Sequence, residues 1–162
     1  MATLAANIAG ADILYFTAGS RGKDLLQTDA FGVIKLMQAA EQAGVKRFIM
    51  LSSTFADRPE KWHEPPLAAL TDYNIAKYLA DQWLMHRTAL DYTILQPGAL
   101  TKSPGSGKVR LNRDEMGQNS IDNVAAVLAA LADAPHTIGQ TITMTDGEED
   151  ITSAIAALQE KP

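Results

Sequence analysis

Apolar and polar positions along the chain predict strands and helices in alternation. A compact apolar run at residues 12–17 ends in small turn residues, and it predicts a buried strand. From Asp29 onward, apolar residues recur at helical spacing as far as Gly44, where a glycine cap is expected to end the helix. A second strand is predicted at residues 46–53.

The second half of the chain repeats this pattern. A polar loop runs from Asp57 to about Thr71, and the apolar stripe beyond it predicts a helix capped by Thr71 or Asp72. Pro97 and Gly98 interrupt a third strand predicted at residues 92–96. The remaining elements are a helix from Ser120 to Ala132, a last strand at 140–144 and a closing helix at 151–158.

Strands joined by helices of this length pair in parallel through right-handed crossovers. The sequence therefore predicts an α/β fold with a doubly wound parallel sheet, and residues 1–162 form a single domain. Ligands of such sheets bind beyond the carboxyl ends of the strands. The turns at those ends contain the candidate site residues, namely Thr17, Ala18, Gly19, Ser52, Ser53, Pro97, Gly98, Ala99 and Leu100.

Composition and charge narrow the class of protein. Hydrophobic residues make up 46% of the chain and charged residues 20%, which is typical of a globular domain. The net charge of -5 argues against nucleic-acid partners, and no apolar run approaches the ~18 residues of a membrane span. There is no cysteine, and the three histidines are far apart, so no metal site is expected. Residues 1–10 lack the positive charge of a secretory signal, so the expected location is the cytoplasm.

The most specific chemical signal is Tyr73-Asn-Ile-Ala-Lys77. Residues four apart on a helix share one face, so the phenol and the ammonium are neighbours. The charge of Lys77 is expected to lower the pKa of Tyr73 and to make the phenol an acid or base near neutral pH. Ser53, at the end of the preceding strand, is a candidate to hydrogen-bond a substrate carbonyl, or it only satisfies the turn backbone.

Five segments in this order resemble the short-chain dehydrogenase/reductase family, in its atypical, NmrA-like or epimerase-like branch. They begin at Phe16, Asp29, Gly44, Tyr73 and Leu90 and read FTAG, DAFG, GVKRFIMLSS, YNIAK and LDYTILQPG. The resemblance implies a Rossmann-like fold, NADP or NAD as cofactor and a small-molecule substrate.

The resemblance also implies roles for residues of this chain. Thr17, Ala18 and Gly19 would line the cofactor, Tyr73 would be the acid or base, and Lys77 would hold the nicotinamide ribose. The segment Pro97, Gly98, Ala99 and Leu100 would lie against the nicotinamide. Together these roles predict an NAD(P)-dependent oxidoreductase or epimerase-like protein.

Two departures from the family pattern keep other readings open. Asp29 stands where many relatives carry a catalytic asparagine, and no G-x-x-G-x-x-G loop occurs in the chain. Residues 3–10 resemble the helix before the fourth strand, so we expect the chain to be the C-terminal part of an N-terminally truncated domain. The alternatives are a non-catalytic dinucleotide-sensing or regulatory protein, or an inactive fragment. In such a fragment, Ile13, Leu14, Tyr15 and Phe16 would form an exposed sheet edge, which predicts self-association into a homodimer.

Overall fold

Helices and strands alternate through residues 2–159, the part of the chain that the computed structural model describes. The helices are α1 (Ala2–Ile8), α2 (Phe31–Ala43), α3 (Thr71–Arg87), α4 (Ile121–Ala130) and α5 (Ile151–Ala156). The long strands are β1 (Ile13–Phe16), β2 (Arg47–Leu51), β3 (Asp91–Pro97), β5 (Lys108–Leu111) and β7 (Gln140–Asp146). Three short strands complete the set: β4 (Ala99–Thr101), β6 (Gln118–Ser120) and β8 (Glu149–Asp150). All the strands and helices predicted from the sequence are present, with ends shifted by a few residues.

The main sheet has the order β1-β2-β3-β7-β5-β8. The first four strands in this order are parallel, as predicted. Strands β5 and β8 were not predicted, and β5 runs antiparallel to both of its neighbours, β7 and β8. Strand β4 pairs with β6 in a separate two-stranded sheet. The connection from β3 to β5, residues 98–107, contains no helix, and a parallel strand would need a crossover, so β5 enters the main sheet in the opposite direction. The sheet is therefore mainly parallel.

A hydrophobic core lies on each face of the sheet, as a doubly wound fold requires. On one face α2 and α3 pack over Phe48, Met50 and Ile94, and on the other α4 and α5 pack over Leu95 and Ile142. Alternate residues of β2 and β3 enter opposite cores because successive side chains of a strand point to opposite faces. The buried centre of the sheet thus fixes the strand ends where the candidate residues lie.

Two of the three predicted helix ends are confirmed. Gly44 ends α2 with a φ of 75°, and the Ser120 hydroxyl caps α4 by accepting a hydrogen bond from the Asp122 N–H. The predicted cap of α3 is wrong: Leu70 occupies the cap position, and the Thr71 hydroxyl donates backward to the Ala68 carbonyl. A short 3-10 turn at Leu67–Leu70 leads directly into α3, which leaves no extended residue in front of it to act as a cap.

Strand β1 forms one edge of the main sheet and pairs only with β2 among the described residues. The sequence predicted that the apolar side chains of this edge are exposed. This is confirmed for Tyr15, which is 41% exposed, but it is wrong for Phe16, which is buried. Ile13 and Leu14 are half-buried because they pack against the two cores. The edge is thus open along its backbone but only partly apolar.

Two further findings concern residues 2–159 only. None of their helices is long and apolar enough to cross a membrane. Nor do their acidic and histidine side chains form a cluster of three or more that could hold a metal ion.

Candidate functional site

The carboxyl ends of β1, β2 and β3 surround a cavity of about 540 Å³. Every site residue predicted from the sequence lines it except Ala99, which lines an adjoining cavity. The lining residues that had been predicted are Thr17, Ala18, Gly19, Ser52, Ser53, Tyr73, Lys77, Pro97, Gly98 and Leu100. Parallel strands bring these turns together, although up to 83 positions separate them in the chain, from Thr17 to Leu100.

Tyr73 and Lys77 stand on successive turns of α3, with the Lys77 Nζ 5.8 Å from the centre of the Tyr73 ring. Lys77 is 5% exposed, and its Nζ donates a long hydrogen bond of 3.4 Å to the Leu51 carbonyl. Burial lowers the pKa of Lys77, while the negative charges of Asp29 and Asp81 oppose that change. The ammonium group therefore faces the cavity with hydrogen-bonding capacity to spare.

The predicted lowering of the Tyr73 pKa is wrong, because the pKa is raised. Burial raises the pKa of the phenol, Asp29 and Asp81 raise it further, and hydrogen bonding to Ser53 only partly offsets them. Loss of hydration disfavours phenolate, and two nearby carboxylates repel it. The Tyr73 phenol consequently stays protonated at neutral pH, which suits a proton donor better than a base.

Asp29 is part of the cavity wall, a placement that the sequence did not predict. A π-helical turn, Leu25–Ala30, carries this residue inward, where it is completely buried. Its Oδ2 accepts a hydrogen bond of 3.0 Å from the Ser20 N–H, whereas its Oδ1 has no partner among the described residues. An unpartnered buried carboxylate oxygen at a cavity wall is a ready acceptor for a ligand hydroxyl.

Asp81 forms the centre of a polar network directly beneath the cavity. Its Oδ2 accepts hydrogen bonds from the Ser52 hydroxyl (2.9 Å) and the Gln96 amide (3.1 Å), and Gln96 also donates to Asp57 (2.9 Å). Burial is the main cause that raises the pKa of Asp81 to about 7. The Ser52 hydroxyl donates its proton to Asp81, whereas the Ser53 hydroxyl lies in the cavity beside the Tyr73 phenol, where it can also meet a ligand. The spacing of Asp81, one turn beyond Lys77 on α3, is the signal that could have revealed it.

The cavity suits the nicotinamide and ribose part of a dinucleotide. Its charged lining residues are two cations, Lys77 and Arg21, and one anion, Asp29. Leu51, Pro97 and Leu100 supply apolar surface against which a flat ring can lie. The spare donors of Lys77 and the free Oδ1 of Asp29 match the hydroxyl groups of a ribose.

Comparison with known proteins identifies the family. Residues 1–135 match the profile of a family described as NAD(P)H-binding. A Bacillus subtilis protein named an uncharacterized sugar epimerase is 38% identical over 160 residues, which is 96% of this chain and 72% of the relative.

Two solved structures extend this result. The oxidoreductase ylbE from Lactococcus lactis superposes with a TM-score of 0.94 at 45% identity, over 95% of this chain and 70% of that one. The anaerobillin reductase ChuY from Escherichia coli O157:H7 has a TM-score of 0.76 at 27% identity, over 91% of this chain and 71% of that one. These matches agree with the resemblance to the atypical short-chain dehydrogenase/reductase branch. The chain belongs to the NAD(P)H-binding family of Rossmann-fold, oxidoreductase- and epimerase-like proteins, and its cofactor is NAD or NADP.

Proposed function

We propose that this protein reduces a small carbonyl substrate, with Tyr73 as the proton donor. The observation that carries the proposal is the position of the Tyr73 phenol at the strand ends, where Ser53 and Lys77 line the same cavity. When bound, NAD(P)H supplies the hydride that forms the new C–H bond at the carbonyl carbon. Tyr73 gives its proton to the carbonyl oxygen, which completes the alcohol.

The neighbouring residues assist that proton transfer. Ser53 donates a hydrogen bond that orients the carbonyl oxygen toward Tyr73. Lys77 stabilises the phenolate that remains on Tyr73 after the transfer. Its ammonium group lies over the Tyr73 ring and is shielded from water, so the attraction between the two charges is strong. The backbone around Thr17, Ala18 and Gly19, together with Pro97 and Gly98, supports the cofactor.

The test is NADH or NADPH oxidation with a panel of ketones, aldehydes and quinones. Tyr73→Phe keeps the ring and removes the proton, so turnover should fall by on the order of 10²-fold or more. Tyr78→Phe is the matched control, because Tyr78 is on the same helix but packs edge-on against Trp62 and lines no part of the cavity. Full activity in Tyr73→Phe would remove Tyr73 from the mechanism.

Asp29 favours a second candidate, dinucleotide sensing without turnover. Its buried carboxylate opposes formation of phenolate at Tyr73. By the family resemblance, it also stands where many relatives would carry asparagine. A sensor would bind NAD(P) and yet show no turnover with any substrate of the panel. Its Asp29→Asn variant would also remain inactive, whereas an enzyme slowed by this charge would gain activity.

We also propose that the protein associates as a homodimer through β1. The unpaired backbone of this strand and the exposed ring of Tyr15 lie at the sheet edge, where a second β1 can extend the sheet in a self-complementary way. Size exclusion with light scattering should show a dimer, and Tyr15→Lys should shift it toward monomer. A wild-type chain that stays monomeric at high concentration would refute this proposal.

A further inference from the structure

A second cavity of about 240 Å³ adjoins the first and shares its reactive wall. Ser53, Tyr73, Gly98 and Leu100 line both cavities. A substrate in the second cavity can therefore present an oxygen to the Tyr73 phenol and the Ser53 hydroxyl while the cofactor occupies the first. The inference below rests on the function proposed above, since it concerns the substrate of that reaction.

Beyond the shared wall, the lining of the second cavity is apolar. It is formed by Pro66, Leu67, Leu70, Ala99 and Met116, and no charged side chain lines it. The only side-chain hydroxyls are those of Ser53, Thr54 and Tyr73, at or near the reactive wall. An apolar chamber with a few polar groups at one end favours a ligand with one polar end and an apolar body.

The cations of the loop that precedes α3 are engaged outside this cavity. Arg58 and Lys61 both pair with Asp114, at 2.7 Å and 2.5 Å, and both lie over the ring of Phe55. A phosphate or diphosphate group would thus find no cation among the lining residues. A sugar ring would bury several hydroxyl groups against leucine, proline and methionine, which is unfavourable without hydrogen-bond partners.

Large apolar side chains at this cavity are unusually exposed. Leu70 is 44% exposed, Leu100 52% and Met116 39%, and all three line the cavity. An apolar ligand would remove this surface from water and so gain affinity from the hydrophobic effect. The cavity is also smaller than the ~300 Å³ at which sites for drug-sized ligands begin, which limits the ligand to one or two rings.

We propose that this cavity takes an uncharged, apolar carbonyl compound of one or two rings, and not a sugar or a nucleotide-linked sugar. The carbonyl oxygen lies between Ser53 and Tyr73, and the apolar body contacts Leu70, Leu100 and Met116. This substrate class differs from the one in the name of the Bacillus subtilis relative.

The experiment follows the methyl resonance of Met116 by NMR during titration with a naphthyl methyl ketone or with UDP-glucose. Titration of the Tyr73→Phe variant with each compound isolates binding from turnover. The ketone should shift the Met116 signal, and UDP-glucose should not. Met116→Lys, assessed by calorimetry, should weaken ketone binding at least tenfold. Ile138→Lys is the matched control, since Ile138 is also exposed and apolar but lines neither cavity, and it should change binding less than twofold.

The outcomes separate this inference from the proposed function. Ketone binding at Met116 without any NAD(P)H oxidation by the wild-type protein would support the assigned ligand class and refute the reductase. Saturable binding of UDP-glucose at Met116 would overturn the inference, as would a ketone that leaves Met116 unshifted. Equal ketone affinity in Met116→Lys and the wild-type protein would overturn it too.

Discussion

Replacement of Asp81 by asparagine changes how the stability of this protein depends on pH. In the folded protein burial raises the pKa of Asp81 from its ordinary 3.8 to about 7. The folded state therefore holds a proton that the unfolded chain has already released. The contribution of this group to stability is fully present below pH 3.8 and is lost as the pH rises through about 7.

The magnitude follows from the two pKa values. They differ by about three, and each pKa difference of one corresponds to ~1.4 kcal/mol, so the full loss is on the order of 4 kcal/mol. An asparagine at this position resembles the protonated acid. Its amide oxygen can still accept the hydrogen bonds from Ser52 and Gln96 at the position of Oδ2.

Urea denaturation at a series of pH values measures the effect. The free energy of unfolding of Asp81→Asn, minus that of the wild-type protein, should grow by about 3 kcal/mol between pH 4.5 and pH 8. Asp72→Asn, an exposed site on the same helix, controls for simple removal of a charge. Parallel wild-type and Asp81→Asn curves would mean that Asp81 is ionised in the folded protein at pH 5, and the burial argument would then fail.

Two more predictions concern the site. A Cβ at Gly98 would lie 2.2 Å from the Gly117 carbonyl oxygen, so Gly98→Ala should displace the β3–β4 turn and cost roughly 1–3 kcal/mol or more in urea denaturation; unchanged stability would show that this turn yields easily. Because the pKa of Tyr73 lies above its ordinary value, reductase turnover should show no loss from its ionisation between pH 6 and pH 9. The proton-donor assignment would be contradicted by a decline in turnover across that range that is seen in the wild-type protein and disappears only in Tyr73→Phe.

The order of most elements, and the convergence of the candidate site residues at one cavity, could be predicted from the sequence alone. Apolar periodicity and turn residues are local signals, and they placed β1, β2 and β3 together with the turns that follow them. Once the parallel pairing is assumed, the convergence of Thr17, Ser53 and Pro97 follows from geometry. The spacing of Tyr73 and Lys77 required only a helix.

Only the tertiary structure decided the electrostatics and the shape of the site. The sign of the Tyr73 pKa change depends on desolvation and on Asp29, which comes from a distant turn, so helix spacing to Lys77 could not give it. Strand β5 alternates polar and apolar residues over only four positions, Lys108–Leu111, and its antiparallel direction depends on the connection that precedes it. The apolar chamber assembles from three separate segments around Pro66, Leu100 and Met116. Long-range packing, and not local preference, brings such segments together, and this is why the sequence indicated where the candidate site lies but not the shape of the cavity beside it.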